Sequence, residues 1–91
     1  MEITFDPAKN ERNIRERGIS FEMAAEFDFE SAFTTEDTRR EYGESRFRSL
    51  GFIGPELYAL VFTIRNEILR IISLRKANRR ERVQYEKVSK P

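Results

Sequence analysis

Leu57-Tyr58-Ala59-Leu60-Val61-Phe62-Thr63-Ile64 is a nearly unbroken apolar run of strand length. Neither of its faces is written for water, so it suits a strand at the centre of a sheet that is covered on both sides. The rest of the chain must supply those covers. A tight turn around Arg65-Asn66-Glu67 returns the chain through Ile68-Leu69-Arg70-Ile71-Ile72-Ser73-Leu74. That is a hairpin in which alternate residues share a face, which sets Arg70 with Ile68 and Ile72. Upstream, Ala32-Phe33-Thr34-Thr35 and Arg46-Phe47-Arg48-Ser49-Leu50-Gly51-Phe52-Ile53 mix β-branched, aromatic and polar residues as half-buried strands do, and Gly54-Pro55-Glu56 is a turn.

The covers come from either end. Ile3-Thr4-Phe5 is a short apolar stretch stopped by Asp6-Pro7, where Asp can cap a helix and Pro suits its first position. A helix is expected from about 7 to 17, ended by Gly18. Ser20 can cap a second helix, in which Phe21, Met23, Ala24, Ala25 and Phe27 fall at helical spacings. A last helix from about 78 to 88 opens at Asn78, with Glu81 three positions on able to bond back to the cap. Its apolar content is only Val83, Tyr85 and Val88, and Lys90-Pro91 reads as a frayed end. Eight Phe and three Tyr in 91 residues are enough for a core, with Phe33, Phe47, Phe52 and Phe62 its expected members. Residues 1–91 thus read as a single domain of α+β class: a short N-terminal strand, two helices, an antiparallel sheet of about four strands, and a C-terminal helix.

Composition excludes several chemistries. There is no Cys and no His, hence no disulfide, no thiolate or imidazole ligand and no residue that titrates near pH 7 unaided. No metal site and no cofactor are expected. No apolar run is long enough to span a bilayer, and the first residues lack the pattern of a signal peptide, so no membrane association and a cytoplasmic location are expected. The net charge of +1 hides a separation. Residues 1–19 balance at zero, residues 20–44 hold eight acidic and two basic side chains, and residues 45–91 hold eleven basic and four acidic ones. Arg75-Lys76-Ala77-Asn78-Arg79-Arg80-Glu81-Arg82 concentrates cations as chains that meet phosphate do, although a solvated helix face would look the same.

Taken together, Phe5-Asp6-Pro7-Ala8-Lys9-Asn10, Asn13-Ile14, Gly18-Ile19-Ser20-Phe21-Glu22, Ala24-Ala25, Phe27, Asp37-Thr38-Arg39, Tyr42-Gly43-Glu44-Ser45-Arg46 and Arg70-Ile71-Ile72-Ser73-Leu74-Arg75-Lys76-Ala77, with Glu81 and Tyr85, resemble the BrnT family of toxins. The resemblance covers almost the whole chain. It implies a small RelE-like ribonuclease, the toxin half of a type II toxin–antitoxin system. It also implies an RNA substrate and a BrnA-like antitoxin partner through which alone operator DNA is reached, and it leaves room for a homodimer within that complex. Many members carry Lys-His-Gly where this chain has Glu16-Arg17-Gly18, and Ala where it has Leu74. If that His moves a proton, Arg17 can supply only charge in its place.

RNA cleavage without metal needs a deprotonated 2′-hydroxyl, in-line attack, stabilised phosphate charge and a protonated leaving oxygen. Arg suits the phosphate because its planar fork donates several hydrogen bonds and stays charged. Arg46, Arg70, Arg75 and Lys76 are the candidate catalytic cations, expected to gather in one concave patch with Arg79 beside them. Lys76 is the candidate acid, and Glu44, by its place in the matched motif, the candidate base. Lys9, Arg17, Arg79, Arg80 and Arg82 are candidate RNA contacts. Each has a plain rival: Arg70 could pair with a carboxylate across the sheet, Glu81 could do no more than cap its helix, and Tyr58 and Tyr85 could be packing residues. A chain without His also admits another function, an antitoxin-binding module with little or no catalysis that acts in operator autoregulation. A third reading is a general nucleic-acid-binding domain whose affinity would fall steeply with salt.

Overall fold

The computed structural model describes residues 2–38, 41 and 43–89. Arg39 and Tyr42 of the matched motifs, and the Lys90-Pro91 end, lie outside them. Among the described residues the order is β1 (Glu2–Phe5), α1 (Pro7–Arg17), a 3₁₀ helix (Phe21–Glu26), β2 (Phe33–Glu36), β3 (Phe47–Ile53), β4 (Glu56–Arg65), β5 (Ile68–Lys76) and α2 (Arg79–Ser89). No helix among them is long and apolar enough to cross a membrane.

The strands form one sheet in the order β1-β5-β4-β3-β2, so the apolar run does lie at the centre, as β4. Two expectations need correction. The sheet has five described strands rather than about four, and it is not wholly antiparallel: β1 joins the β5 edge in parallel, with Ile3 opposite Leu69 and Phe5 opposite Ile71. Ile3 and Phe5 pack against the core from that position, which is the reason so short a strand is held. The second helix is a single 3₁₀ segment, because Phe21, Ala24 and Phe27, all buried, recur every three residues, the period of a 3₁₀ helix rather than an α-helix.

One face of the sheet carries the core. Leu60, Phe62, Leu69, Ile71 and Leu74 meet Ile19, Phe21, Ala24 and Phe27 from the segment that follows α1. The approach is close enough at Gly51 that a Cβ there would lie 2.5 Å from the Phe27 ring, so the residue must be glycine. Asn13, buried on α1, donates through Nδ2 to the carbonyls of Ile19 and Leu74, both at 2.9 Å, and so ties the helix to the β5 edge beyond the end of β1. Asp6 caps α1 by accepting from the Ala8 N–H, and Gly18 ends it with a φ of 69°.

The opposite face is covered by α2 at one end only. Tyr85 meets Phe52 edge-on and donates to the Ser31 carbonyl at 3.0 Å, so it serves as a packing residue, and Tyr58 lies buried in the core. Val83 and Val88 are exposed, which leaves α2 attached mainly by Tyr85 and by polar contacts. Of the four expected core phenylalanines, Phe62 is buried and Phe47 packs against the core, while Phe33 and Phe52 are half-buried on the α2 side.

Candidate functional site

The face left open by α2 is built row by row from the strand pairing. Ala59, Val61 and Thr63 of β4 form its floor, small or β-branched residues that leave a shallow trough. Arg48 of β3 stands beside Val61, with Ser73 of β5 on the other side. Arg75 stands beside Ala59 and Arg70 beside Thr63. Arg46 immediately precedes β3, and its carbonyl accepts from the Asp37 N–H at 2.7 Å, so the pairing runs one residue past the strand. Carried one step further the same way, the β3–β4 register sets Arg46 opposite Thr63, whose hydroxyl donates to the Ser45 carbonyl at 2.7 Å. By register Arg48, with Arg46 carried on from it, stands on one side of the floor and Arg70 and Arg75 on the other, and of these Arg48 and Arg75 line the concavity itself. The β4 partners of Arg70 and Arg75, Thr63 and Ala59, are four residues apart, about 13 Å at a strand's rise per residue, a gap that two long side chains can close on one extended ligand.

That gathering depends on an irregularity. Arg70 and Arg75 are an odd number of positions apart, so strict alternation would put them on opposite faces. The β4–β5 register shifts between Val61 and Phe62: Phe62 pairs with Ile71 and Val61 with Ser73, leaving Ile72 as the extra residue of a bulge. The phase changes there, so Arg70, Ser73 and Arg75 come to one face while Leu69, Ile71 and Leu74 keep to the core. The alternation expected through Ile68–Leu74 therefore holds only as far as the bulge.

At the α2 end the trough is fixed by Glu81. Its two carboxylate oxygens accept from Arg75 Nη1 and Nη2, both at 2.8 Å, and Oε2 also accepts from Arg48 Nη2 at 3.4 Å. The capping exchange expected from the sequence is present as well, Asn78 N–H to Glu81 Oε1 at 2.9 Å and Glu81 N–H to Asn78 Oδ1 at 2.8 Å. Glu81 does more than cap: only 5% exposed, it orients the two arginines that flank it. The Arg75 fork, with help from the Asn78 N–H and Arg48, holds the Glu81 carboxyl below the usual carboxylate range against the opposing effect of burial. In return Glu81 raises the Arg75 guanidinium further above its already high value. Thr35, Ser73 and Gln84 supply hydroxyl and amide groups along the same concavity. Arg70 is exposed and makes no ion pair with any of the described residues, so the rival reading of a cross-sheet carboxylate partner does not describe it.

Other candidates stand elsewhere. Lys76 pairs with Tyr58, which puts it at the end of β5 on the core side of the sheet, away from Arg75. Glu44 lies in the loop before β3, where it accepts from Arg65 Nη2 at 2.9 Å. The patch expected to collect Arg46, Arg70, Arg75, Lys76 and Arg79 is met only in part: Arg70 and Arg75 share the open face with Arg46 beside them by register, Lys76 is on the other face, and Arg79 is exposed on α2. Arg79, Arg80 and Arg82 are exposed on α2, and Arg82 is engaged by Glu56 at 2.7 Å, which holds that carboxyl below its usual range. Lys9 and Arg17 are on α1, with Arg17 Nη1 donating to Asn13 Oδ1 at 2.9 Å. Arg48 was not among the sequence candidates, although its place two residues after Arg46 on a strand was a legible signal. The trough positions of Thr35, Ser73 and Gln84 needed the register and had no such signal.

A small α+β sheet with one face closed by a core and the other rimmed by guanidinium groups is a scaffold suited to an extended anion. Residues 5–81 match the family model for the ribonuclease toxin BrnT of type II toxin–antitoxin systems. The chain belongs to that family, as its motifs implied. No curated protein matches it.

Proposed function

We propose that this chain is a RelE-like endoribonuclease toxin that cleaves RNA without a metal ion, thereby inhibiting translation, and is neutralised by a BrnA-like antitoxin that alone brings it to operator DNA. The observation that carries the reading is the arginine-rimmed trough. In it Arg70 and Arg75, with Arg46 and Arg48 across the floor, hold the scissile phosphate and stabilise the charge that builds on it. Thr35, Ser73 and Gln84 orient the flanking ribose through their hydroxyl and amide groups, and Glu81 positions Arg75.

Lys76 as acid and Glu44 as base would each have to reach the phosphate from outside the trough. In this reading the 2′-oxygen displaces the 5′-oxygen from phosphorus, the 2′-hydroxyl proton passes to solvent and the departing 5′-oxygen takes a proton from solvent. Forgoing a positioned proton-transfer group costs ~10² to 10⁴ in rate. The enzyme is therefore slow, and Lys9, Arg17, Arg79, Arg80 and Arg82 stand outside the trough as charges available to flanking phosphates. Incubation of partner-free protein with RNA in EDTA is expected to give products ending in 2′,3′-cyclic phosphate, with at least a ~10²-fold slower reaction in Arg70→Ala/Arg75→Ala. Cleavage absent, or equal in the variant, overturns the reading.

Two observations favour a second reading. Arg75 already has its fork filled by Glu81, and the chain has no His. A catalytically weak module that binds antitoxin and regulates its operator would have these properties. Expression without antitoxin separates the two: growth arrest supports the toxin, unaffected growth the module.

A further inference from the structure

The trough is not the only basic concavity. A second lies between α1 and the β5 edge, lined by Lys9, Arg12, Asn13, Glu16 and Arg17 on the helix and by Ile72 and Ser73 on the strand. Ser73 lines the trough as well, so the two hollows share a wall at the bulge. Their junction is open because β1 pairs with β5 only as far as Ile71. Past that point the edge is met by α1, held there through Asn13 and the Leu74 carbonyl.

From this we infer that α1 carries a second subsite for single-stranded RNA: the strand leaves the trough over Ser73 and lays its next phosphates against Lys9, Arg12 and Arg17. The inference rests on the ribonuclease reading and adds to it a direction, across the β5 edge rather than along α2. The chemistry fits on both sides. Lys9 and Arg12 are exposed cations with no ion-pair partner among the described residues, and Arg17 uses one nitrogen on Asn13 and keeps its charge. On α2, Arg82 is already neutralised by Glu56. Glu16 is the one anion of the hollow, and it weakens the subsite as it stands.

The test uses fluorescently labelled 2′-O-methyl RNA, which cannot be cut by attack of its own 2′-oxygen, as a trinucleotide and as a dodecanucleotide of mixed sequence. Binding is followed by anisotropy at several salt concentrations. Lys9→Ala/Arg12→Ala is expected to weaken the longer strand on the order of ten-fold and to lower its salt slope by about 1.4, two contacts' worth for single strands. It should leave the trinucleotide's affinity unchanged, and Arg79→Ala/Arg80→Ala should lose less. Glu16→Gln should tighten the longer strand, a gain that misfolding cannot imitate. Wild-type binding of both lengths that neither α1 variant alters overturns the α1 subsite alone. Failure of the wild type to bind either length overturns the ribonuclease reading and this inference with it.

Discussion

At the scale of single residues, Glu81 does the most with one side chain. It closes the first turn of α2, receives the Arg75 fork and touches Arg48, so one carboxylate couples the helix to the trough. A carboxyl whose folded value lies below its ordinary 4.5 contributes stability above that value and loses it as pH falls through the folded one. Glu81→Gln keeps the shape and one acceptor but not the charge. We expect it to cost about 1 to 2 kcal/mol near neutrality, a figure reduced for the partial exposure of Arg75. In urea unfolding of both proteins from about pH 7 to about pH 3, the difference should shrink below the ordinary Glu value. A difference that stays constant over that range would show that the ion pair contributes nothing. Much of this was legible: Asn78 and Glu81 sit at capping spacing in the sequence. The Arg75 contact was not, because it joins a strand to a helix across a turn whose geometry no spacing states.

Elements show where local pattern suffices and where it fails. Helix α1, with Asp6, Pro7 and Gly18 at its ends, followed from residue preferences alone, and β4 followed from its apolar run. What failed was phase. The Ile72 bulge is invisible in Arg70-Ile71-Ile72-Ser73-Leu74-Arg75, where apolar residues occupy both faces and either register looks acceptable, yet it decides whether the two arginines meet. The β4–β5 turn is a further case: Asn66 and Glu67 both have positive φ, 52° and 63°, as two-residue hairpins with matching twist require. Asn tolerates that region and Glu does so at a cost. Glu67→Gly should therefore raise stability by about 1 kcal/mol in urea unfolding, and a loss would contradict the turn. Asn13→Ala leaves the Ile19 and Leu74 carbonyls without their side-chain donor. The expected loss is about 1 to 3 kcal/mol, and a change under about 0.5 kcal/mol would show that α1 is held by other means.

Across the whole molecule, the charge separation read from the sequence acquires a place. The arginines on the trough come from residues 45–91, whereas the acidic stretch 20–44 runs largely through the 3₁₀ helix and the loops around β2. An anion approaching the open face meets guanidinium groups first. Family membership fixes the kind of protein, and that it meets RNA through the trough is the proposal. Amide chemical shifts during titration with uncleavable 2′-O-methyl RNA test that account most directly. Thr35, Val61 and Ser73 on the trough should move together with the residues beside Arg48, Arg70 and Arg75. Shifts confined to the apolar groove of Phe29, Ile64 and Leu69 on the other face, with the trough silent, would contradict it.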